Sequence, residues 1–237
     1  MNMLDFHTHI LPGMDDGSAS PEESLKMLLA EAEQGVDEII LTPHFYPSRE
    51  APESFFARRQ QALARLQYAM QRYPNLPRLH AGAEVAYYDG ISRSEAAEQL
   101  CIEGTGAMLL EMPFCEWNQR MIGEVYELLS QRRIQPVLAH VERYLAFQRG
   151  DVISELCENG IWLQVNASYF TRWQTSRRAL GMLDRREIHF IGTDCHNMTS
   201  RRPNMGEAAA RIDSKLGHDA WRHLARMREM LLGGAEG

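Results

Sequence analysis

The sequence predicts an α/β fold, a distorted seven-stranded barrel of parallel strands wrapped by helices, on three observations. Short apolar runs alternate with amphipathic segments along the whole chain, as βα units do. Histidines and carboxylates stand at the ends of most apolar runs. Ligands from that many strand ends gather more readily over a barrel mouth than at one crevice of an open sheet. Finally, 237 residues with 44% hydrophobic side chains can bury a sizeable core. No linker-like stretch interrupts the alternation, so residues 1–237 read as one domain.

The first strand, Met3 to His9, runs into the loop ILPGMDDGSAS, where Gly13 and Gly17 mark turns. Ser20 and Pro21 then occupy an N-cap and first helical position, and Glu23 completes a capping box. Leu25, Leu28, Leu29 and Ala32 follow at helical spacing until Gly35 stops the helix. Glu38 to Thr42 is the second strand, Pro52 to Tyr73 a helix, Leu79 to Val85 the third strand and Ser92 to Cys101 a helix. Gly106 to Met112 is the fourth strand, Trp117 to Arg132 a helix, Ile134 to His140 the fifth strand and Tyr144 to Glu158 helical. Ile161 to Val165 and Ile188 to Gly192 complete the strands, with a helix over Thr171 to Leu183 between them. Helices around Met205 to Leu216 and Asp219 to Leu232 close the pattern.

Charge and composition narrow the function. Lys plus Arg number 25 against 32 Asp plus Glu, a net charge of −7 without a basic tail or stripe, so no nucleic-acid partner is expected. The four cysteines are far apart and form no CxxC pair, which makes free thiols the default. The opening MNMLDFHTHI lacks the basic and apolar regions of a signal peptide, and no stretch approaches the ~20 apolar residues that cross a bilayer. The expectation is a cytoplasmic protein without direct membrane insertion. Its oligomeric state is not specified by the sequence.

The polar residues point to a metal centre. His7 and His9 flank Thr8 at the end of an apolar strand, where two-residue alternation aims both imidazoles into one cavity. Such ligands suit zinc, iron or manganese, and added carboxylates favour harder ions. Glu84 stands at the end region of LHAGAEV and Glu111 at that of AMLLEM, where a buried carboxylate is costly without a cation. Taken singly, each glutamate could equally cap a helix or pair with arginine. With His44, with His140 ending LAH, and with Asp194 and His196 around Cys195, the set reads as a ligand cluster. Arg143 and Arg201, three and five residues beyond His140 and His196, are the candidate phosphate-binding side chains, with Arg202 the competitor of Arg201. Asp15 is a candidate to orient water or His44, or a loop cap. Asp5 is read as supporting an imidazole or the strand entrance. His80, His189, His218 and His223 are read as structural or exposed, and Tyr87 and Tyr88 as lining the mouth or packing.

DFHTHILPGMDDG, TPHF, GAEVAYY, LLEMPF, LAHVERY and GTDCHNMTSRRP extend in that order from Asp5 to Pro203. In these motifs the chain resembles the PHP family, in particular its bacterial branch of protein-tyrosine phosphatases that control capsule and exopolysaccharide assembly. The resemblance implies a TIM-like PHP barrel of seven strands holding three divalent transition-metal ions, manganese first, with iron or zinc as alternatives. It assigns His7, His9 and Asp194 to one ion, with Glu84 bridging to a second that Glu111 and His140 complete. A third falls to Asp16, His44 and His196. It places the HVER and TSR arginines, Arg143 and Arg201, near the substrate, and implies as partner the phosphotyrosine-bearing tail of a bacterial tyrosine autokinase.

Three rivals stand beside that reading. Cys195 and Arg201 have the spacing of a cysteine-phosphatase loop, but HNMTS holds no glycine for a tight nest, and alternation points Cys195 away from its neighbours' cavity. A PHP phosphoesterase for a small metabolite or a nucleic-acid end would use the same ligands. A non-enzymatic, metal-stabilised assembly subunit would need the ligands without the arginine pair.

Overall fold

The computed structural model describes residues 3–233, so the ends of the expected 1–237 domain lie outside the described residues. The strands are β1 (Met3–Thr8), β2 (Val36–Leu41), β3 (His44–Phe45), β4 (Arg78–Ala81), β5 (Glu84–Ala86), β6 (Ala107–Glu111), β7 (Gln135–Leu138), β8 (Trp162–Asn166) and β9 (Phe190–Gly192). The α-helices are α1 (Pro21–Glu33), α2 (Pro52–Met70), α3 (Gln119–Arg132), α4 (Val152–Glu158), α5 (Ala167–Thr171), α6 (Ser176–Asp184), α7 (Met205–Lys215) and α8 (His218–Leu232). All ladders are parallel, in a three-stranded sheet ordered β1-β2-β4 and a six-stranded sheet ordered β3-β5-β6-β7-β8-β9.

Of the expected strands Leu79–Val85 is broken in two, β3 is an addition beyond the expected Glu38–Thr42, and the seven-stranded ring does not form as one continuous ladder. Pro43 separates β2 from β3, and proline has no N–H to give a ladder. Gly82 and Ala83 separate β4 from β5, while Gly82 N donates to Leu41 O at 2.8 Å. β1 meets the segment after β9 through a parallel Thr8–Cys195 bridge. There His9 N donates to Cys195 O at 2.9 Å and Asp194 N to His7 O at 2.7 Å.

The sheets curl around an inner apolar cluster. Phe6, Ile40, Leu109, Val137 and Phe190, from five different strands, pack together with Met227 and Leu231 of α8. Phe6 stacks on Phe190 with centroids 4.1 Å apart. A larger cluster, including Met27, Leu28, Phe55, Leu66 and Leu128, lies between strands and helices. The second shell needs the amphipathic helices, and the first explains why alternate strand residues are apolar on both faces.

Local chemistry explains the helix ends. Ser20 Oγ accepts from Glu23 N at 3.3 Å, and Glu23 Oε2 returns to Ala19 N at 3.0 Å, one residue earlier than a standard capping box. Gly35 leaves α1 at φ 84°. Three expected helices are shorter. Residues 92–101 form two 3₁₀ turns, Ile91–Arg93 and Glu98–Leu100, because Ser94 is extended and Ser92 Oγ donates to Glu127 Oε2 at 2.6 Å. Residues 144–158 are helical only over Val152–Glu158, beyond Gly150 at φ 61°. Residues 171–183 are divided by an extended Arg172, which ends α5 before α6 begins.

Candidate metal centre

Nine side chains from successive strand ends converge at one end of the sheets. The register shifts between Asp5 and Thr8 on β1, so the adjacent Phe6 and His7 reach the inner cluster and the basin above it, which strict alternation forbids. His7 and His9 bring their Nε2 atoms to 3.1 Å. Their other ring nitrogens are engaged: His7 Nδ1 donates to Gln164 Oε1 at 3.2 Å and His9 Nδ1 to Asp15 Oδ2 at 2.8 Å. That tautomer leaves both Nε2 lone pairs facing the basin. Gly17 and Gly192 permit this approach. A Cβ on Gly17 would lie 2.3 Å from His9 O, and one on Gly192 would lie 2.5 Å from His7 Cβ.

Glu84, fully buried on β5, sits at the centre. Its Oε2 lies 3.3 Å from His7 Nε2, 3.4 Å from His9 Nε2 and 2.7 Å from His44 Nδ1. Its Oε1 meets His140 Nε2 at 2.9 Å. Burial opposes ionisation of Glu84, but His7, His140 and His44 outweigh it and hold the carboxyl well below its ordinary range. Glu111 comes within 3.6 Å of His140 Nε2. Burial, aided by the Glu84 charge, pushes Glu111 up to about 7. Two neighbouring carboxyls without full counter-charge are thus pushed apart, Glu84 towards the ionised form and Glu111 away from it.

Asp194 joins the two halves. Its Oδ1 is 3.8 Å from His7 Nε2 and 3.5 Å from His9 Nε2. Arg143 pairs with its Oδ2, and Arg201 with its Oδ1 at 2.6 Å. Asp16, largely exposed, brings its Oδ1 to 3.5 Å from both His44 Nε2 and His196 Nε2. Arg202 instead pairs with Glu207 of α7 at 2.8 Å, so of the two neighbouring arginines only Arg201 reaches the basin. His140 and Asp194 both adopt left-handed backbone, φ 31° and 53°, a costly conformation for residues with a side chain.

These donors fit divalent ions. His44 Nδ1, Glu84 Oε2 and His196 Nε2 are buried atoms with no hydrogen-bond partner, although the first two lie only 2.7 Å apart. Lone pairs that crowd without hydrogen bonds suit a shared cation. The 3.1 Å between His7 Nε2 and His9 Nε2 also agrees with the ~3.0–3.4 Å separation of two nitrogens bound at ~2.0–2.1 Å to one ion. His9, His44 and His196 form one compact donor group, His7, His9 and Asp194 another, and His44, Glu84 and Glu111 a third.

Three supporting residues escaped the sequence reading. Gln164 accepts from His7 Nδ1 and, at 2.7 Å, from His140 N. Asn166 donates to Asp194 Oδ2 at 2.9 Å. Both lie on β8, and two amides alternating in the apolar run WLQVN were the available signal. Phe114, three residues past Glu111, is the third; it stacks on His140 with centroids 6.1 Å apart. Asp15 supports rather than lines the basin, accepting from His9 Nδ1, His44 N and Gly17 N. Cys195 points the other way: its fully buried Sγ lies 3.9 Å from Glu31 Oε1, and burial pushes the thiol well up, which removes the cysteine-nucleophile alternative.

A curled parallel α/β sheet with imidazoles, carboxylates and two arginines at its strand ends defines a class of metal-dependent phosphate-handling proteins. The particular family follows from sequence: the chain belongs to the capsular polysaccharide synthesis family CpsB/CapC, whose model matches residues 3–231. It is 28% identical to the tyrosine-protein phosphatase YwqE of Bacillus subtilis, over 97% of this chain and 91% of that protein. It is 30% identical to the tyrosine-protein phosphatase CpsB of Streptococcus pneumoniae, over 91% of each. A crystal structure from the study of those two metal-dependent tyrosine phosphatases superposes with a TM-score of 0.84 at 26% identity, covering 98% of this chain and 95% of the other. A proposed histidinol phosphatase from Listeria monocytogenes shares the fold at a TM-score of 0.53 and 14% identity, covering 90% of this chain and 99% of the other.

Proposed function

We propose that the chain is a metal-dependent protein-tyrosine phosphatase of capsule or exopolysaccharide production, acting on the phosphotyrosine tail of a bacterial tyrosine autokinase. The observation that carries the reading is the meeting of Arg143 and Arg201 on Asp194 inside a basin of imidazoles and carboxylates. A metal-stabilised assembly protein has no need of two guanidinium groups there.

In this reading His7, His9 and Asp194 would hold one ion, Glu111 and His140 a second that would share Glu84 with the first, and Asp16, His44 and His196 a third. Manganese is the first candidate, with iron or zinc as alternatives. Bound divalent ions polarise phosphoryl oxygens and lower the pKa of a water nucleophile. The protein's own groups do the rest. Arg143 and Arg201 grip non-bridging phosphoryl oxygens and stabilise the charge of the transferring group. Gln164, Asp15 and Asn166 fix the rings and carboxylate that form the basin. A phenol leaving group with pKa ~10 departs without a strong general acid, unlike a serine alkoxide.

The same reading takes the two sheets as one distorted, TIM-like barrel of seven strands, with β2–β3 and β4–β5 as two broken strands and the Thr8–Cys195 bridge as its closing contact. It takes residues 1–237 as one PHP phosphatase domain, working in the cytoplasm. Among the described residues no helix is long and apolar enough to cross a membrane.

The test is kcat/KM for a phosphotyrosine tail peptide against matched phosphoserine and phosphothreonine peptides, histidinol phosphate and a 3′-phosphorylated oligonucleotide. A tenfold preference for phosphotyrosine, about 1.4 kcal/mol in the transition state, is the expected result. Preference for histidinol phosphate or the oligonucleotide would move the chain to another phosphoesterase branch. No turnover with metal fully bound would leave the assembly role.

A further inference from the structure

Two exposed aromatic rings stand beside the basin on a buried aromatic base. Tyr144 is fully buried and Trp117 nearly so; their rings meet edge-on at 5.1 Å, and Tyr144 Oη accepts from Met112 N at 3.0 Å. On this base lies Phe114, 5.4 Å from Tyr144 and 6.3 Å from Phe147. Phe114 is 49% exposed and Phe147 42% exposed. The Phe114 plane is within 18° of the His140 imidazole, and His140 Nε2 is the atom that meets Glu84 and Glu111. Phe114 and Phe147 together thus present a paired aromatic surface at the rim of a polar basin.

Tyr46, a second aromatic beside these residues, is already covered. Tyr46 has the Arg49 guanidinium 4.4 Å over its ring and the His44 ring 5.1 Å away. Phe114, by contrast, offers exposed aromatic surface next to a proposed ligand, His140.

We propose that Phe114, braced by Phe147, is the surface on which the substrate's phenyl ring packs, and that it sets the preference for aryl over alkyl phosphates. The inference rests on the phosphatase reading of the basin and adds a residue that reads the leaving group. A phosphotyrosine places a rigid ring between phosphate and backbone, and Phe114, stacked on the His140 ring, stands beside the basin that would hold the phosphate. Aromatic pairs at centroid separations of ~4.5–7 Å gain ~0.5–1.5 kcal/mol beyond the area they bury. In phosphoserine a single methylene stands where the ring would be, so nothing reaches this wall.

Binding and turnover separate the two claims. Calorimetric titration of the metal-loaded protein with phenylphosphonate and ethylphosphonate reads the ring contact without any reaction. Phe114→Ala should weaken phenylphosphonate about tenfold, or about 1.4 kcal/mol, and leave ethylphosphonate within about twofold. Phe114→Tyr should restore phenylphosphonate binding. With a phosphotyrosine peptide, Phe114→Ala should act mainly by raising KM. An equal loss for both phosphonates would assign Phe114 to support of His140 and overturn the proposal, as would unchanged phenylphosphonate binding. If the wild-type protein hydrolyses no phosphotyrosine while this discrimination holds, the phosphatase reading fails and the ring-binding wall stands.

Discussion

On one side of β1 and the segment after β9, His7, His9 and Asp194 meet in the basin; on the other, Asp5, Glu31, Thr193 and Cys195 meet beneath α1. Both groups are buried, and both bring ligand-type atoms together: Asp5, Glu31 and Cys195 lie within 4.8 Å of one another. Their electrostatics are opposite. In the basin every carboxylate has imidazole or guanidinium neighbours, and despite burial His7 and His9 hold Asp194 well below its ordinary range. Beneath α1 the partners of the carboxyls are a hydroxyl, a thiol and backbone N–H groups. Burial, then the Asp5 charge, pushes Glu31 well up, and burial also raises Asp5 against its bonds to Thr193 and Glu31. A count of donors finds both clusters. In the basin the cationic neighbours favour the ionised form of Glu84 and Asp194, whereas beneath α1 burial favours the protonated carboxyl.

The largest effect should come from chelation, which separates the clusters outright. Metal removal should abolish hydrolysis, and plasma mass spectrometry should find more than one transition-metal ion per chain before it. Full activity in a verified metal-free preparation would break the comparison. Glu84→Gln should follow, with a fall in metal content and a larger loss of turnover than Glu111→Gln, because Glu84 touches His7, His9, His44 and His140 whereas Glu111 reaches only His140 among these rings. A greater defect at Glu111 would move the bridge there. Arg143→Ala and Arg201→Ala should keep their metal and lose roughly 10²-fold in kcat/KM, the scale of charge-assisted contacts to a transferring phosphoryl group. Arg202→Ala, paired with Glu207, should stay near wild type. Normal kcat/KM in both Arg143 and Arg201 variants would remove the pair from the phosphate site.

The comparison also explains what was legible in the sequence. Strand ends were readable because an apolar run stopping at a histidine or carboxylate carries its signal locally: His7, His9, Glu111 and His140 sit at or just past such ends, whereas Glu84 opens β5 after the break at Gly82 and Ala83. Arg201 was readable from its distance to His196, and its separation from Arg202 became visible only with Glu207 in place. Gln164 and Asn166 were missed because their partners are 157 and 28 residues away. The shortened helices were missed because Ser92, Gly150 and Arg172 act through turn geometry and side-chain partners, not through periodicity. Glu31 reads as one more acidic position on α1, and only the fold carries it beneath Cys195.

Two small effects probe the pocket beneath α1 itself. Cys195→Ser should keep most of its activity, since the thiol faces Glu31; near-complete loss with metal and fold intact would revive a thiolate nucleophile. Glu31→Gln tests whether the pocket holds a proton. A carboxyl whose folded pKa is raised contributes stability that is fully present below its unfolded value, 4.5, and is lost as pH rises through the folded one. Glutamine keeps a donor towards Asp5 at every pH, so the variant should match wild type near the acid end of that window. By pH 8 it should be the more stable protein, by about 1.4 kcal/mol for each pH unit over which Glu31 keeps a proton that the unfolded chain has lost. Urea unfolding across that range is the measurement. Parallel pH profiles for variant and wild type would mean that Glu31 is ionised, and the pocket beneath α1 would then share the electrostatics of the basin.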